Sequence, residues 1–320
     1  MGELLIKLSQ LNPTSFFALC KQHKKILFLF ALLICCTGAM AQQQIYSYNQ
    51  YADNLTPINA AYSLLDKAGS ISAVGRKQFV GIEGAPSSLL FNGNFPIESV
   101  GGAAGVYVLT DQIAVERQLE VNAFFAKSIQ LASDQFLGVS LNAGVRNYVG
   151  NYSTLDPVDP SFKDDIRETK PNVGFGVMFY SAKYYMGVSV PELSIRSLGT
   201  ASVQQANYLK NHYYFNAAYL ADAGDDIKFK PATMISYVKG SPLLVDVSGT
   251  FYLKEQLGLG ANYRSNKKAA GIISVTTDTF KIGYSYQFGV SSNNLGGINT
   301  AIHEVSLSYR FGATSERKLL

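Results

Sequence analysis

The chain has no tryptophan, three cysteines and three histidines among its 320 residues. Cys20, Cys35 and Cys36 all precede residue 41. A chain cut there would carry no disulfide framework and no thiolate for zinc. Only His212 and His303 follow the cut, and neither sits in an H-E-x-x-H pattern. An excess of charge is missing as well. The formal net charge is +4, and Lys7, Lys21, Lys24, Lys25 and Glu3 lie within the first 41 residues. The remainder is close to neutral and offers no basic field for nucleic acid. After residue 41 no apolar run reaches the roughly 20 residues of a membrane-spanning helix. Strands of about 9–11 residues can still cross a bilayer, and they leave alternation as their mark.

The N-terminus reads as an export signal. Basic "KQHKK" (21–25) precedes apolar "ILFLFALLICC" (26–36) and small-residue "TGAMA" (37–41), with Ala39 and Ala41 in A-x-A spacing. Ile34 and Cys35 do not supply the small residue that a lipid-attachment cysteine needs in front of it. The expected organisation is a signal peptide over 1–41, an N-terminal segment over 42–69, a barrel over 70–311 and a tail over 312–320.

Alternation dominates the rest. In "QLGLGANYR" (256–264), Leu257, Leu259, Ala261 and Tyr263 alternate with Gly258, Gly260, Asn262 and Arg264. "KIGYSYQF" (281–288) and "HEVSLSYRF" (303–311) repeat the pattern. Each segment therefore has one apolar face and one polar or minimal face. A soluble sandwich also alternates. Here Tyr and Phe recur near segment ends, as an interfacial girdle requires, while the other face is rich in Gly, Ser, Asn and Gln, as suits a wet lumen.

Strands are expected near 70–79, 86–95, 102–110, 115–128, 135–147, 171–180, 183–190, 211–221, 226–239, 242–253, 256–265, 269–277, 279–288 and 302–311. The fold class is all-β: a transmembrane antiparallel β-barrel of about 14 strands, an even count as single-chain bacterial barrels have. Short turns such as "DAGDD" (222–226) and "KGSP" (239–242) carry hairpin residues. Longer loops are expected at 148–170, 192–210 and 289–301. Residues 42–69 either plug the lumen or lie beneath it.

Chemistry-bearing motifs are scarce. "DPVDPSFKDD" (156–165) gathers acids and prolines, but without EF-hand spacing. "GGAAG" (101–105) precedes no helix and so is not a phosphate cradle. No Ser, His and acid set is selected by spacing. The chain reads as a non-enzyme with no cofactor and no metal.

The stretch "RKQFVGIEGAPSS" (76–88) places Arg76, Lys77 and Gln78 at a strand end, with Gly81, Glu83, Gly84 and Pro86 in the turn that follows. One reading is structural, with Arg76 or Lys77 bonded internally, Glu83 being the nearby acid. The other is a contact surface for a partner protein.

These residues carry a resemblance. "GRKQFVGIEGAPSS" (75–88) resembles the PorP/SprF family of the type IX secretion system, whose turn reads approximately YRKQWVGIEGAP; this chain departs at Gly75 and Phe79. "PNVGFGVMFYSAKYYMGVSVPEL" (171–193), residues 212–265 and the closing "HEVSLSYRF" are similar to the family's strands. "NQYADNLTPINAAYSL" (49–64) resembles its opening, which usually ends N-P-A-Y-A-G, where this chain has Asn59-Ala60-Ala61-Tyr62-Ser63-Leu64.

The resemblance implies an outer-membrane protein of Bacteroidetes-type cells that works with type IX machinery components or with secreted adhesin cargo, in secretion, surface anchoring or gliding. It brings no catalytic residues. Arg76, Lys77, Gln78, Gly81, Glu83, Gly84 and Pro86 carry over as signature positions only. The alternative function is a passive outer-membrane pore.

Overall fold

In the computed structural model, residues 48–155, 164–194, 211–289, 301–312 and 319–320 are described. The expected signal peptide lies outside them, as do most of the acidic stretch at 156–165 and of the two later loops.

The strands are β1 (Gly69–Gln78), β2 (Ser87–Ile97), β3 (Gly102–Ile113), β4 (Glu116–Ala132), β5 (Gln135–Gly150), β6 (Ile166–Tyr180), β7 (Tyr184–Ser194), β8 (His212–Tyr219), β9 (Ala221–Gly224), β10 (Ile227–Val238), β11 (Leu244–Leu253), β12 (Leu257–Arg264), β13 (Lys268–Thr276), β14 (Phe280–Gly289) and β15 (Ile302–Phe311). β8 and β9 both pair with β10 and are one strand broken at Leu220. The fifteen segments are therefore fourteen staves. Each pairs antiparallel with its neighbours in chain order. β1 closes the ring on β15, from Gly69 opposite Phe311 to Gln78 opposite Ile302. Closure leaves no edge, which lipid demands because it cannot bond a free N–H or C=O.

The alternating pattern sets which face is which. Leu259, Tyr263, Ile273, Val275, Ile282, Val305 and Leu307 point outward and are exposed, while Asn262, Arg264, Ser274, Ser285, Gln287 and Glu304 point inward and are buried. An apolar exterior around a polar interior is the reverse of a soluble domain and fits a protein solvated by lipid. Outward aromatics form two bands. Tyr219, Phe251, Phe280, Tyr309 and Phe311 lie towards one end, and Tyr213, Tyr237, Tyr263, Tyr286 and Phe288 towards the other. Cross-strand ring pairs tie each band, with Phe229 and Phe251 centroids 4.5 Å apart and Tyr213 and Tyr237 centroids 6.1 Å apart.

The two ends differ. Connections at 98–101, 133–134, 181–183, 225–226, 254–256 and 277–279 are short and lie at the end where β1 begins. The longer connections, including 79–86 and 239–243, lie at the other end. In outer-membrane barrels the short turns face the periplasm and the longer loops the outside.

Two expectations need correction. The loop foreseen at 148–170 is shorter, because β5 runs to Gly150 and β6 starts at Ile166, the two remaining paired as far as Gly150 opposite Ile166. The expected strand already reached 147 and missed only Tyr148–Gly150 of β5, whereas in β6 the polar Arg167, Glu168, Thr169 and Lys170 hid strand. β4 likewise runs on to Ala132, paired beyond residue 127 with β5 alone.

Ile273 sits at the centre of β13 on the lipid face. An Ile273→Arg change should cost about 2–4 kcal/mol in a bilayer, read as a lower urea midpoint for the barrel in vesicles. An unchanged midpoint would mean that this face does not meet lipid.

Candidate functional site

The most elaborate constellation among the described residues is inside the ring, where residues 48–68 run between the inward faces of strands from both sides. The segment has little regular structure of its own: 3-10 turns at Tyr51–Asp53 and Ala60–Leu64. Asn59 caps the second turn, accepting from the Ala61 amide at 3.2 Å.

Polar wall residues bind the segment's backbone and side chains. The Glu304 carboxylate, fully buried, accepts from Asn49 N at 2.9 Å, Gln50 N at 3.0 Å and Gln50 Nε2 at 3.1 Å. Asn49 Nδ2 donates to Ser285 Oγ at 3.0 Å, and Asn54 Nδ2 to Asn92 Oδ1 at 2.7 Å. Tyr51 donates its hydroxyl to the Ala232 carbonyl at 3.2 Å and accepts from Ser248 at 3.2 Å. Arg310 grips Asp66 bidentately at 2.7 and 2.8 Å.

Asp53 is the electrostatic centre. Its Oδ1 lies 2.7 Å from Lys230 Nζ and 2.8 Å from Lys281 Nζ, and accepts from Tyr252 at 3.0 Å. Lys230 also donates to the Ala52 carbonyl at 3.1 Å and the Leu319 carbonyl at 2.6 Å. Burial by itself would raise the Asp53 carboxyl, but the two ammonium groups win and hold it well below the ordinary carboxylate range.

Apolar contacts complete the seat. Tyr48, Tyr51, Leu55, Ile58 and Leu65 join Met178, Tyr185, Tyr214, Met234 and Leu320 in one cluster, each large side chain contributing about 1.5–3 kcal/mol when fully buried. The wall is minimal where the segment passes closest. A Cβ on Gly176 would collide with the Asn59 amide, and one on Gly283 with Gln50.

Other buried charges pair within the wall. Arg146 lies between Glu120, at 3.2 Å, and Glu192. Arg264 pairs with Asp246 at 2.6 Å. Among the described residues no three His, Cys, Asp or Glu side chains come together in a metal-binding group.

The signature residues are split. Arg76 points into the lumen opposite Glu304 and Ser88, whereas Lys77 points outward opposite His303 and Ser87. Gln78 donates its amide to the Pro86 carbonyl at 3.0 Å. Gly81 and Gly84 adopt φ of 95° and 71°, the left-handed region the turn demands. Gly84 O accepts from Ala114 N at 2.9 Å, seating this loop on the β3–β4 turn. Glu83 is exposed and does not bind the cations. Lys77 reaches the Ala85 carbonyl at 3.4 Å instead. Glu304, Lys230 and Lys281 were visible in the sequence only as polar-face residues of alternating strands. Nothing there linked them to Asn49, Gln50 or Asp53.

The family model described as type IX secretion system membrane protein PorP/SprF matches residues 40–309. Among solved structures, the outer-membrane protein Omp33 of Acinetobacter baumannii is 8% identical, with a TM-score of 0.46 over 77% of this chain and 99% of that one. The Pseudomonas putida toluene transporter TodX is 9% identical, with a TM-score of 0.45 over 80% and 93%. No curated relative matches.

Asp53→Asn would remove the buried charge that Lys230 and Lys281 share, at a cost on the order of 3 kcal/mol. Amide exchange over residues 48–68 should then rise about a hundredfold while strand protection holds. Because the folded Asp53 carboxyl titrates below its unfolded value, its contribution is complete above about pH 4 and fades as pH falls through the folded value. Lowering the pH from 7 to 5 should therefore leave wild-type protection in place. Loss of protection at pH 5 would assign the hold to another group.

Proposed function

Since the chain belongs to the PorP/SprF family of type IX secretion system membrane proteins and is an outer-membrane barrel, we propose that it acts as a filled scaffold. It would present its loop end to a secreted surface protein or to machinery components, and so help to export or anchor that cargo, including adhesins used in gliding. The observation that carries this reading is the occupied lumen. Fourteen staves lie between the eight that side chains alone fill and the sixteen that leave a channel. Here Glu304, Lys230, Lys281 and Arg310 hold residues 48–68 across that interior. A rigid wall carrying loops is a common binding design.

The second reading, a passive pore, draws on the polar inward face. Planar-bilayer recording separates the two. Wild-type barrels should be electrically silent, and deletion of residues 48–66 should produce ion-current steps. Steady conductance from the intact protein would favour the pore.

Gentle affinity purification from native outer membranes, followed by mass spectrometry, tests the partner. Co-elution of one large secreted protein or of machinery components supports the scaffold, and the identity separates adhesin partner from core apparatus. Recovery of the barrel alone from active cells counts against it.

A further inference from the structure

The lipid-facing wall carries one feature that neither closure nor the filled lumen requires. At the loop end of the β14–β15–β1 face, an ionisable pair lies on the outward side of the wall; the Lys77 ammonium donates one N–H to the Ala85 carbonyl at 3.4 Å and keeps two more. His303 on β15 and Lys77 on β1 are directly opposed in register, which places their Cβ atoms about 5 Å apart. His303 is held in place from one side. Tyr284 bonds its Nδ1 at 2.8 Å, and the Tyr286 ring meets it edge-on at a centroid distance of 5.2 Å. The Nδ1 side of the imidazole is thus occupied. Both residues lie second from the loop end of their strands, level with the outward band of Tyr263, Tyr286 and Phe288. That band marks the headgroup layer.

Directly below the pair the wall is notched. Gly75 faces outward between Val305 and Leu89, and a Cβ placed there would meet nothing within 4 Å. Val305 and Leu89 are 54% and 52% exposed, so they stand as rims on either side. Ala73 continues the groove one step down, between Leu307 and Phe91. The sequence along β1 therefore reads cation, gap, small residue down the lipid face.

We propose that this groove binds an anionic, phosphate-bearing lipid of the outer leaflet. Lys77 and His303 take the phosphate, and one acyl chain lies over Gly75 and Ala73 between the Val305–Leu307 and Leu89–Phe91 rims. The phosphate supplies the negative charge that two adjacent donors at headgroup height call for. The groove supplies a contact that a free phosphate would not use. The site lies on the outer wall and is independent of the lumen and of the scaffold reading.

The test is native mass spectrometry of the intact barrel released from detergent, with monophosphoryl lipid A and dioleoylphosphatidylcholine offered in turn as probes. Wild type should retain one lipid A and discard phosphatidylcholine. Lys77→Gln and His303→Gln should each lower lipid A retention about tenfold, the loss expected for one charge-assisted bond. Gly75→Leu should lower it comparably by filling the groove with both donors intact. Gly271→Leu, which fills an equally open outward glycine elsewhere on the wall, should change nothing and reports on folding. Equal retention of both lipids, or retention unaffected by the Lys77 and His303 changes, overturns the proposal. Displacement of lipid A by inorganic phosphate, with Gly75→Leu behaving as wild type, would also overturn it, since the site would then be one for free phosphate.

Discussion

A strand in lipid has no water to fall back on, so every backbone N–H and C=O of the wall must find a partner in the next strand. The seam between β1 and β15 is where that condition is hardest to meet, because it joins the two ends of the described barrel across more than two hundred residues of chain. It is met without a bulge over the whole of β1, from Gly69 opposite Phe311 to Gln78 opposite Ile302. Once the ring closes, the period-two alternation leaves each side chain only two destinations, lipid or lumen. The inward set then creates a second problem. Glu304, Lys230, Lys281, Arg310 and Arg264 are removed from bulk water, and an unpaired buried charge costs several kcal/mol.

The chain solves the second problem in two ways. Arg264 with Asp246, and Arg146 with Glu120 and Glu192, pair within the wall. Glu304, Lys230, Lys281 and Arg310 instead take partners from residues 48–68. The lumen segment is thus part of the wall's electrostatic balance. Removing it would leave one carboxylate and three cations without these bonds, which is why the segment can be well held despite having only two short 3-10 turns.

The barrel was legible because alternation is a local signal: a strand such as "KIGYSYQF" declares both faces within eight residues. All fourteen expected strands are present, counting β8 and β9 as one. The errors fall at strand ends, as at Tyr148–Gly150, and where polar residues mask strand, as at Arg167–Lys170. The turn between β11 and β12 was placed from the alternation on either side, although Lys254 and Glu255 adopt positive φ, at 50° and 57°, without the glycine or asparagine that marks such hairpins. The lumen contacts were not legible at all. Asp53 and Lys230 are 177 residues apart and Gln50 and Glu304 are 254 apart, and one sequence offers no means of pairing such distant charges. The signature stretch was legible as a turn but not as three separate roles. Arg76 and Lys77 are adjacent in sequence, yet the wall stands between their side chains.

One strand connects the parts. β1 follows the lumen segment within three residues of Asp66, closes the barrel along its length, and ends in the loop that carries Gly81 and Gly84. The tether limits what the lumen segment can do. Residues 48–65 could leave the interior only by breaking the Glu304, Lys230 and Lys281 contacts, while Arg310 holds Asp66 bidentately beside the start of β1. Any opening would therefore be a swing from the short-turn end rather than expulsion through the loop end.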